Sequence, residues 1–379
     1  MLKTEVLGNG LKSLGFDVFS GVPCSYLKYL INYAINHCTY INAANEGDAI
    51  ATCAGSALAG QKPVMLMQNS GLGNAISPLT SLIHTFNIPV LIFVSLRGEA
   101  GIPDEPQHEL MGQITEKLLI TMGIANAYLA SNEEQAKVQL HEANAIIETG
   151  RPFCFIVKKN TFEPHALIQS QCPKPLNQKP LAVSDNETPL GTRTEALQTI
   201  RDIASSMALL ATTGKTGREL FELGDAPNQF YQVGSMGCIS AIALGLALAK
   251  PAIPVIAIDG DGAALMRLGS WAANGFYAPP NLCHVLLDND VHDSTGGQDT
   301  LSKAVNFTAT AQAMHYPQVQ SVKSFEELTH AINTWNKDPK LSFIHVKIKP
   351  GSPKNLGRPN VSPQDVAQRF KTFVQESHD

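Results

Sequence analysis

The chain has 379 residues, of which 44% are hydrophobic and 16% charged, and its net charge is −5 at pH 7. That length exceeds what one hydrophobic core usually fills and predicts two domains; the mild acidity, with no basic cluster interleaved with aromatics, excludes a nucleic-acid partner. Seven scattered cysteines without a CxxC pair predict mostly buried thiols in a reducing compartment, and the lack of a basic, then apolar leader or a run of ~20 apolar residues predicts a cytoplasmic location.

In chain order the patterning predicts a helix over Ser25–Asn36, a short strand Tyr40–Ala43, a small-residue helix Asp48–Leu58, strands Pro63–Gln68 and Ile88–Leu96, a helix Glu133–Glu148 capped by Asn132, and a strand Phe153–Val157. Between His165 and Thr192 the pattern stops: Pro173, Pro175, Pro180 and Pro189 fall among polar residues, which reads as a linker over 166–192 between domains 1–165 and 193–379. The second half alternates again, with helices Arg193–Ser206, Ser240–Lys250, Leu265–Ala273, Phe325–Trp335 and Pro363–Gln375 and strands Met207–Ala211, Pro254–Ile258, Leu282–Leu287 and Phe343–Ile348. Thr192 and Ser362, the latter before Pro363, supply start signals. Short Val/Ile/Leu strands alternating with helices predict an α/β protein of two doubly wound parallel sheets.

The sharpest feature is the end of the Pro254–Ile258 strand, which runs into Asp259-Gly260-Asp261-Gly262, followed by a second strand ending in Asp288-Asn289. In a doubly wound sheet both ends emerge at the ligand-binding edge, where Asp261 and Asn289 supply hard oxygen ligands suited to Mg2+ and the glycines let backbone approach a diphosphate. A lone Gly-Asp-Gly is ordinarily just a turn; the paired strand end distinguishes this one. A backbone carbonyl near Val291 would complete the protein's share of the metal shell. In the first half, Glu46 stands at a strand-to-helix junction, where a glutamate ordinarily complements the helix dipole.

The Gly-Asp-Gly and Asn289 pair resembles the thiamine-diphosphate-binding motif. Further segments make the chain similar to the phosphonopyruvate decarboxylase family over nearly its whole length: Gly21-Val22-Pro23-Cys24-Ser25, Asn45-Glu46-Gly47-Asp48-Ala49, Gln68 to Asn74, Arg97-Gly98-Glu99 with Asp104 to His108, Thr213-Gly214-Lys215-Thr216, Gly234-Ser235-Met236-Gly237 and His292 to Gln298. The resemblance implies a pyrimidine-binding and a diphosphate-binding domain and decarboxylation of 3-phosphonopyruvate to phosphonoacetaldehyde and CO2 in phosphonate biosynthesis. Thiamine diphosphate and Mg2+ are the implied cofactors, and a homodimer or higher homo-oligomer with active sites between subunits the implied assembly.

By the same resemblance Glu46 hydrogen-bonds the cofactor's aminopyrimidine and starts catalysis. Asn69, Ser70, Gly71, Gly214, Lys215, Thr216, Ser235, Met236, Gly237, Gly260, Asp261, Gly262, Ala263 and Asn289 are candidate cofactor contacts, with Met236 wedging the bent cofactor. The two glycine stretches are also readable as ordinary βα turns, Asn69 to Gly71 as a helix cap, and Met236 as plain core. Some related decarboxylases carry histidines near the Asn69 turn and this chain has none there, which leaves His108 and His292 as candidate proton carriers; a lone histidine is as often structural. Ser25 and His108 are candidates for orienting substrate, and Arg97, Lys215 and Arg267 for binding the second anion, each of these cations being equally readable as an ion-pair partner or a solvated surface charge. Sulfopyruvate decarboxylase is the nearest alternative; its domains commonly occur as separate chains, so the fused layout favours the phosphonate. A nicotinamide-dependent oxidoreductase needs G-x-G-x-x-G, whereas Gly260 to Leu265 lacks the third glycine and places an acid where pyrophosphate would approach.

Overall fold

The computed structural model describes residues 1–168 and 185–376, so most of the expected linker lies outside the described residues. The chain forms two compact units, Met1–Cys172 and Pro173–Asp379.

In the first unit β1 (Val18–Gly21), β2 (Thr39–Asn42), β3 (Pro63–Gln68), β4 (Leu91–Ser95), β5 (Ala125–Tyr128) and β6 (Phe153–Val157) form a six-stranded sheet in the order β2-β1-β3-β4-β6-β5, all pairs parallel. β4 and β6 are buried along their whole length, which requires cover on both faces and explains their unbroken apolar sequence. The second unit repeats the plan with β7 (Ala208–Ala211), β8 (Gln229–Tyr231), β9 (Val255–Gly260) and β10 (Leu282–Asp288). An antiparallel ribbon of β11 (Val291–His292) and β12 (Gln298–Asp299) follows, then β13 (Gln318–Ser321) and β14 (Ser342–Lys347). Its parallel sheet runs β13-β14-β10-β9-β7-β8.

The start signals act as expected. Asn132 Oδ1 accepts from the Glu134 and Gln135 amides (3.0 and 3.1 Å), Thr192 and Glu195 close a reciprocal capping box, and Ser362 Oγ accepts from the Asp365 amide at 3.1 Å. The expected helix Leu265–Ala273 is corrected: two helices, Asp261–Met266 and Ser270–Tyr277, are separated by Arg267 to Gly269, and the φ of Arg267, −139°, is not helical. Its first half thus begins directly off β9, which places Asp261 at the strand end. Of the six described cysteines, Cys53, Cys154, Cys238 and Cys283 are buried and Cys24 and Cys38 are half-buried. No helix among the described residues is long and apolar enough to cross a membrane.

Candidate active site

The order β2-β1-β3-β4 makes the C-terminal ends of four strands neighbours in the first unit, so the loops bearing Glu46, Ser25, Asn69 to Gly71 and Arg97 share one edge. Glu46 opens the Glu46–Leu58 helix, whose N-cap Asn45 accepts from the Gly47 amide at 2.8 Å. Asn74 Nδ2 donates to Glu46 Oε2 at 2.9 Å. Gly71 leaves the carboxylate its space, since a Cβ there would lie 2.2 Å from Glu46 Oε1.

Two first-unit candidates are held by other groups of the protein. Asn69, expected to touch cofactor, is fully buried and spends its amide on the β3–β4 junction: Nδ2 donates to the Arg97 carbonyl (2.8 Å) and Thr115 Oγ1 (3.1 Å), and Oδ1 accepts from the Arg97 amide (3.3 Å). Arg97, a candidate for the second anion that reads equally as an ion-pair partner, closes on Asp104 through Nε (2.7 Å) and Nη2. The Arg97 guanidinium, aided by the Gly98 and Glu105 amides against some burial, holds the Asp104 carboxyl far below the usual range. Arg97 Nη1 still reaches Ser25 Oγ at 3.3 Å. Ser70 Oγ accepts from Gln68 Nε2 at 2.7 Å. His108 packs its backbone carbonyl against Gly98, and its buried Nδ1 has no hydrogen-bond partner among the described residues.

In the second unit the ends of β7, β9 and β10 adjoin and surround a cavity of about 210 Å3. Its walls include Thr212 to Thr216, Gly260 to Ala263, Met236, Asn289, Val291 and His292. Met236 reaches it from a turn in which Gly234, Ser235 and Gly237 have φ of 64°, 45° and 91°; the serine occupies the left-handed region that ordinarily favours glycine. Gly234 N donates to Thr213 Oγ1 (3.1 Å), tying that turn to the one after β7. Gly262 lies against His292, where a Cβ would come within 2.5 Å of Cε1. Arg267, expected at the substrate, packs its stem beside Gly237 and is outside the described lining of the cavity.

Asp261 is 3% exposed and accepts from the Thr300 hydroxyl; among the described residues no lysine or arginine pairs with it. Burial pushes its carboxyl up, with a smaller contribution from Asp288 and a partial offset from Thr300. Asn289 Nδ2 donates to Asp293 Oδ2 at 2.7 Å, which fixes the amide's orientation and leaves Oδ1, among the described residues, with only a long contact, 3.5 Å, to the Val291 amide. Asp293 is itself held by Arg193 Nη2 (2.6 Å) and the Gly351 amide (3.0 Å), and Arg193 by the buried Glu219 (2.9 Å). Asp288, the neighbour of Asn289, is raised by burial but lowered on balance by the hydrogen bonds and charges of His345 (3.1 Å) and Lys347 (2.9 Å) together.

These residues fit a magnesium diphosphate. Asp261, Asn289 Oδ1 and a carbonyl at Val291 are a hard-oxygen set that is too small to enclose a cation without phosphate oxygens, and no group of three His, Cys, Asp or Glu among the described residues could hold one instead. The Thr212 hydroxyl in the same wall is buried without a partner among the described residues, a donor waiting for an acceptor. Sequence reasoning missed Arg193, Glu219 and Thr300, whose polar character suits a surface, and quoted Asp293 without giving it a role.

Residues 3–119 match the N-terminal and residues 213–346 the C-terminal TPP binding domain of thiamine pyrophosphate enzymes. The chain is 39% identical to a phosphonopyruvate decarboxylase of Streptomyces viridochromogenes and 40% to one of Streptomyces hygroscopicus, each across 99% of this chain and 95% of the relative. A sulfopyruvate decarboxylase of Methanosarcina acetivorans is 31% identical over 95% of both chains. That single-chain relative removes the fused layout as a reason to favour the phosphonate. A structure of a putative thiamin diphosphate-dependent enzyme from Mycobacterium smegmatis superposes with a TM-score of 0.73 at 13% identity, covering 93% of this chain and all of that one, which supports the fold. Sequence, fold and cavity converge: the chain belongs to the thiamine pyrophosphate enzymes and, among them, to the phosphonopyruvate decarboxylase family.

Proposed function

We propose that this enzyme converts 3-phosphonopyruvate to phosphonoacetaldehyde and CO2, using thiamine diphosphate anchored through Mg2+, as a step in making carbon–phosphorus compounds. The observation that carries the cofactor reading is the buried Asp261 carboxylate, unpaired with any described cation, beside an Asn289 amide held in orientation by Asp293. Bound thiamine diphosphate supplies the nucleophilic carbon and the electron sink for loss of CO2. Asp261, Asn289 and the Val291 carbonyl hold the metal. Thr212, Lys215, Thr216 and the Gly214 and Gly260 to Ala263 backbone receive the diphosphate, and Met236 packs against the cofactor, its turn shaped by Ser235 and Gly237.

In the first unit Glu46 holds and moves the proton at the aminopyrimidine, with Asn74 fixing one carboxylate oxygen and Gly71 keeping the other clear. His292, in the cavity wall, and His108, with its unpartnered Nδ1, are the proton carriers of this reading. Ser25 orients substrate. The working form is a homo-oligomer, and an active monomer in a sizing experiment would contradict that part.

The test is a coupled aldehyde assay with thiamine diphosphate and Mg2+, comparing phosphonopyruvate, sulfopyruvate and pyruvate at equal concentrations. The expected result is that phosphonopyruvate dominates and that omission of cofactor or Mg2+ abolishes turnover. A preference for sulfopyruvate would keep the chemistry and change the substrate.

A further inference from the structure

A second cavity, about 310 Å3 and thus large enough for a small ligand, lies in the second unit. It shares the Thr213–Gly214 turn with the diphosphate cavity, so whatever occupies it sits one backbone turn from the cofactor's anchor. Its far wall is the segment leading into the C-terminal helix, with Arg358, Pro359 and Val361, and Arg218 faces that segment from the helix Lys215–Glu222.

The charge of this cavity is its distinguishing property. No aspartate or glutamate lines it among the described residues, while two guanidiniums do. Elsewhere Arg97 closes on Asp104, Arg193 on Glu219 and Asp293, and Arg369 on Asp225. Arg218 instead gives Nε to the Gly357 carbonyl (2.6 Å) and Nη2 to that of Leu356, and among the described residues neither it nor Arg358 has a carboxylate partner. Those two bonds pin the residues just before Arg358, fixing the base from which its side chain reaches and leaving Arg218 Nη1 for another acceptor. Two guanidiniums lining one cavity, neither with a carboxylate partner among the described residues, make a site for a tetrahedral dianion.

We infer that the cavity between the Thr213–Gly214 turn and the Arg358 segment is the substrate's anion subsite, where Arg358, supported by Arg218, takes the phosphonate that stands one methylene from the reacting carbonyl. This rests on the decarboxylase reading. It assigns the role expected of Arg97 and Arg267 to two residues that patterning had left unmarked.

The test uses holoenzyme saturated with thiamine diphosphate and Mg2+, so that the diphosphate site is filled. Arg358→Met and Arg358→Lys are compared with wild type for kcat and KM on phosphonopyruvate and pyruvate, and for binding of phosphonoacetate by calorimetry. Loss of a charge-assisted contact is expected to raise KM for phosphonopyruvate by roughly 10–100-fold in Arg358→Met with less effect on kcat, to weaken phosphonoacetate by a similar factor, and to be partly rescued in Arg358→Lys. The ratio of kcat/KM for phosphonopyruvate to that for pyruvate, or phosphonoacetate binding alone where pyruvate is not turned over, must fall at least about tenfold. An unchanged ratio and unchanged phosphonoacetate affinity would overturn the assignment. A wild type inert toward phosphonopyruvate that still binds phosphonoacetate through Arg358 would sink the proposed reaction and leave the subsite standing.

Discussion

Replacing Asp293 by alanine should cost the enzyme its magnesium affinity while leaving its chemistry at saturating metal nearly intact. In the structure Asp293 Oδ2 accepts from Asn289 Nδ2 at 2.7 Å and from Arg193 Nη2 at 2.6 Å, so the carboxylate orients the amide whose oxygen is a proposed metal ligand. A hydrogen bond to a charged group contributes about 1.5–3 kcal/mol, and each 1.4 kcal/mol is tenfold in an equilibrium constant. Half-saturating Mg2+ should therefore rise roughly 10–100-fold, the range typical of groups that orient a metal ligand. Arg193 keeps Glu219 at 2.9 Å in the variant, which limits damage to the fold. The assay is calorimetric titration of thiamine diphosphate at a series of Mg2+ concentrations, with the melting temperature of the apo-protein alongside. Asp293→Asn retains an acceptor of the same shape and should fall between alanine and wild type. A half-saturating Mg2+ for Asp293→Ala within about twofold of wild type would refute the orienting role.

Gly71→Ala should lower kcat at least about 100-fold while sparing Mg2+ dependence and folding, because the nearest atoms the new Cβ meets are all in the Glu46 side chain, whose carboxylate it pushes aside; steady-state kinetics beside a thermal melt checks it. Glu46→Gln removes the proton carrier itself and should cost on the order of 10²–10⁴ in kcat, with cofactor binding by calorimetry near wild type. Asp104→Asn should destabilise the protein at neutral pH. The carboxyl is depressed in the folded state, so its stabilisation is present above the unfolded value near ~4 and is lost as pH falls below it; melting curves for wild type and variant should converge in acid.

What the sequence made legible follows the strength of local signals. β3, β6 and the Glu133–Glu148 helix match their expected bounds because a fully buried strand reads as an unbroken apolar run and a capped amphipathic helix announces its start. The parallel-sheet strands left unread, β1, β5, β8 and β13, are three or four residues long, β11 and β12 only two; β5, β8 and β13 lie at sheet edges, and in β5 and β13 burial is partial and alternation weak. Among site residues, those on the backbone of a βα turn were recognisable because glycine and a strand end fix their place. The supporting charges were not: Arg193 and Glu219 are 26 positions apart and meet only once the fold brings their helices together. For the same reason the partner of Asn69, Thr115, 46 positions on, was not legible, whereas Asp104 lies in the same loop as Arg97, seven positions on.

The choice between phosphonate and sulfonate cannot rest on domain layout, since a single-chain sulfopyruvate decarboxylase shares it. It can rest on charge. A phosphonate approaches two negative charges near neutral pH, as a phosphate group does, whereas a sulfonate carries one. A cavity lined by Arg218 and Arg358 with no described carboxylate in its wall favours the species with the greater charge. Selectivity should therefore depend on pH: KM for phosphonopyruvate should fall as pH rises through the second phosphonate ionisation, which for phosphate groups lies near ~6, while KM for sulfopyruvate stays level. Measuring both KM values across that interval separates recognition by charge from recognition by shape. Parallel curves would mean that the cavity reads the tetrahedral outline alone, and the two arginines would then have no bearing on which anion the enzyme prefers.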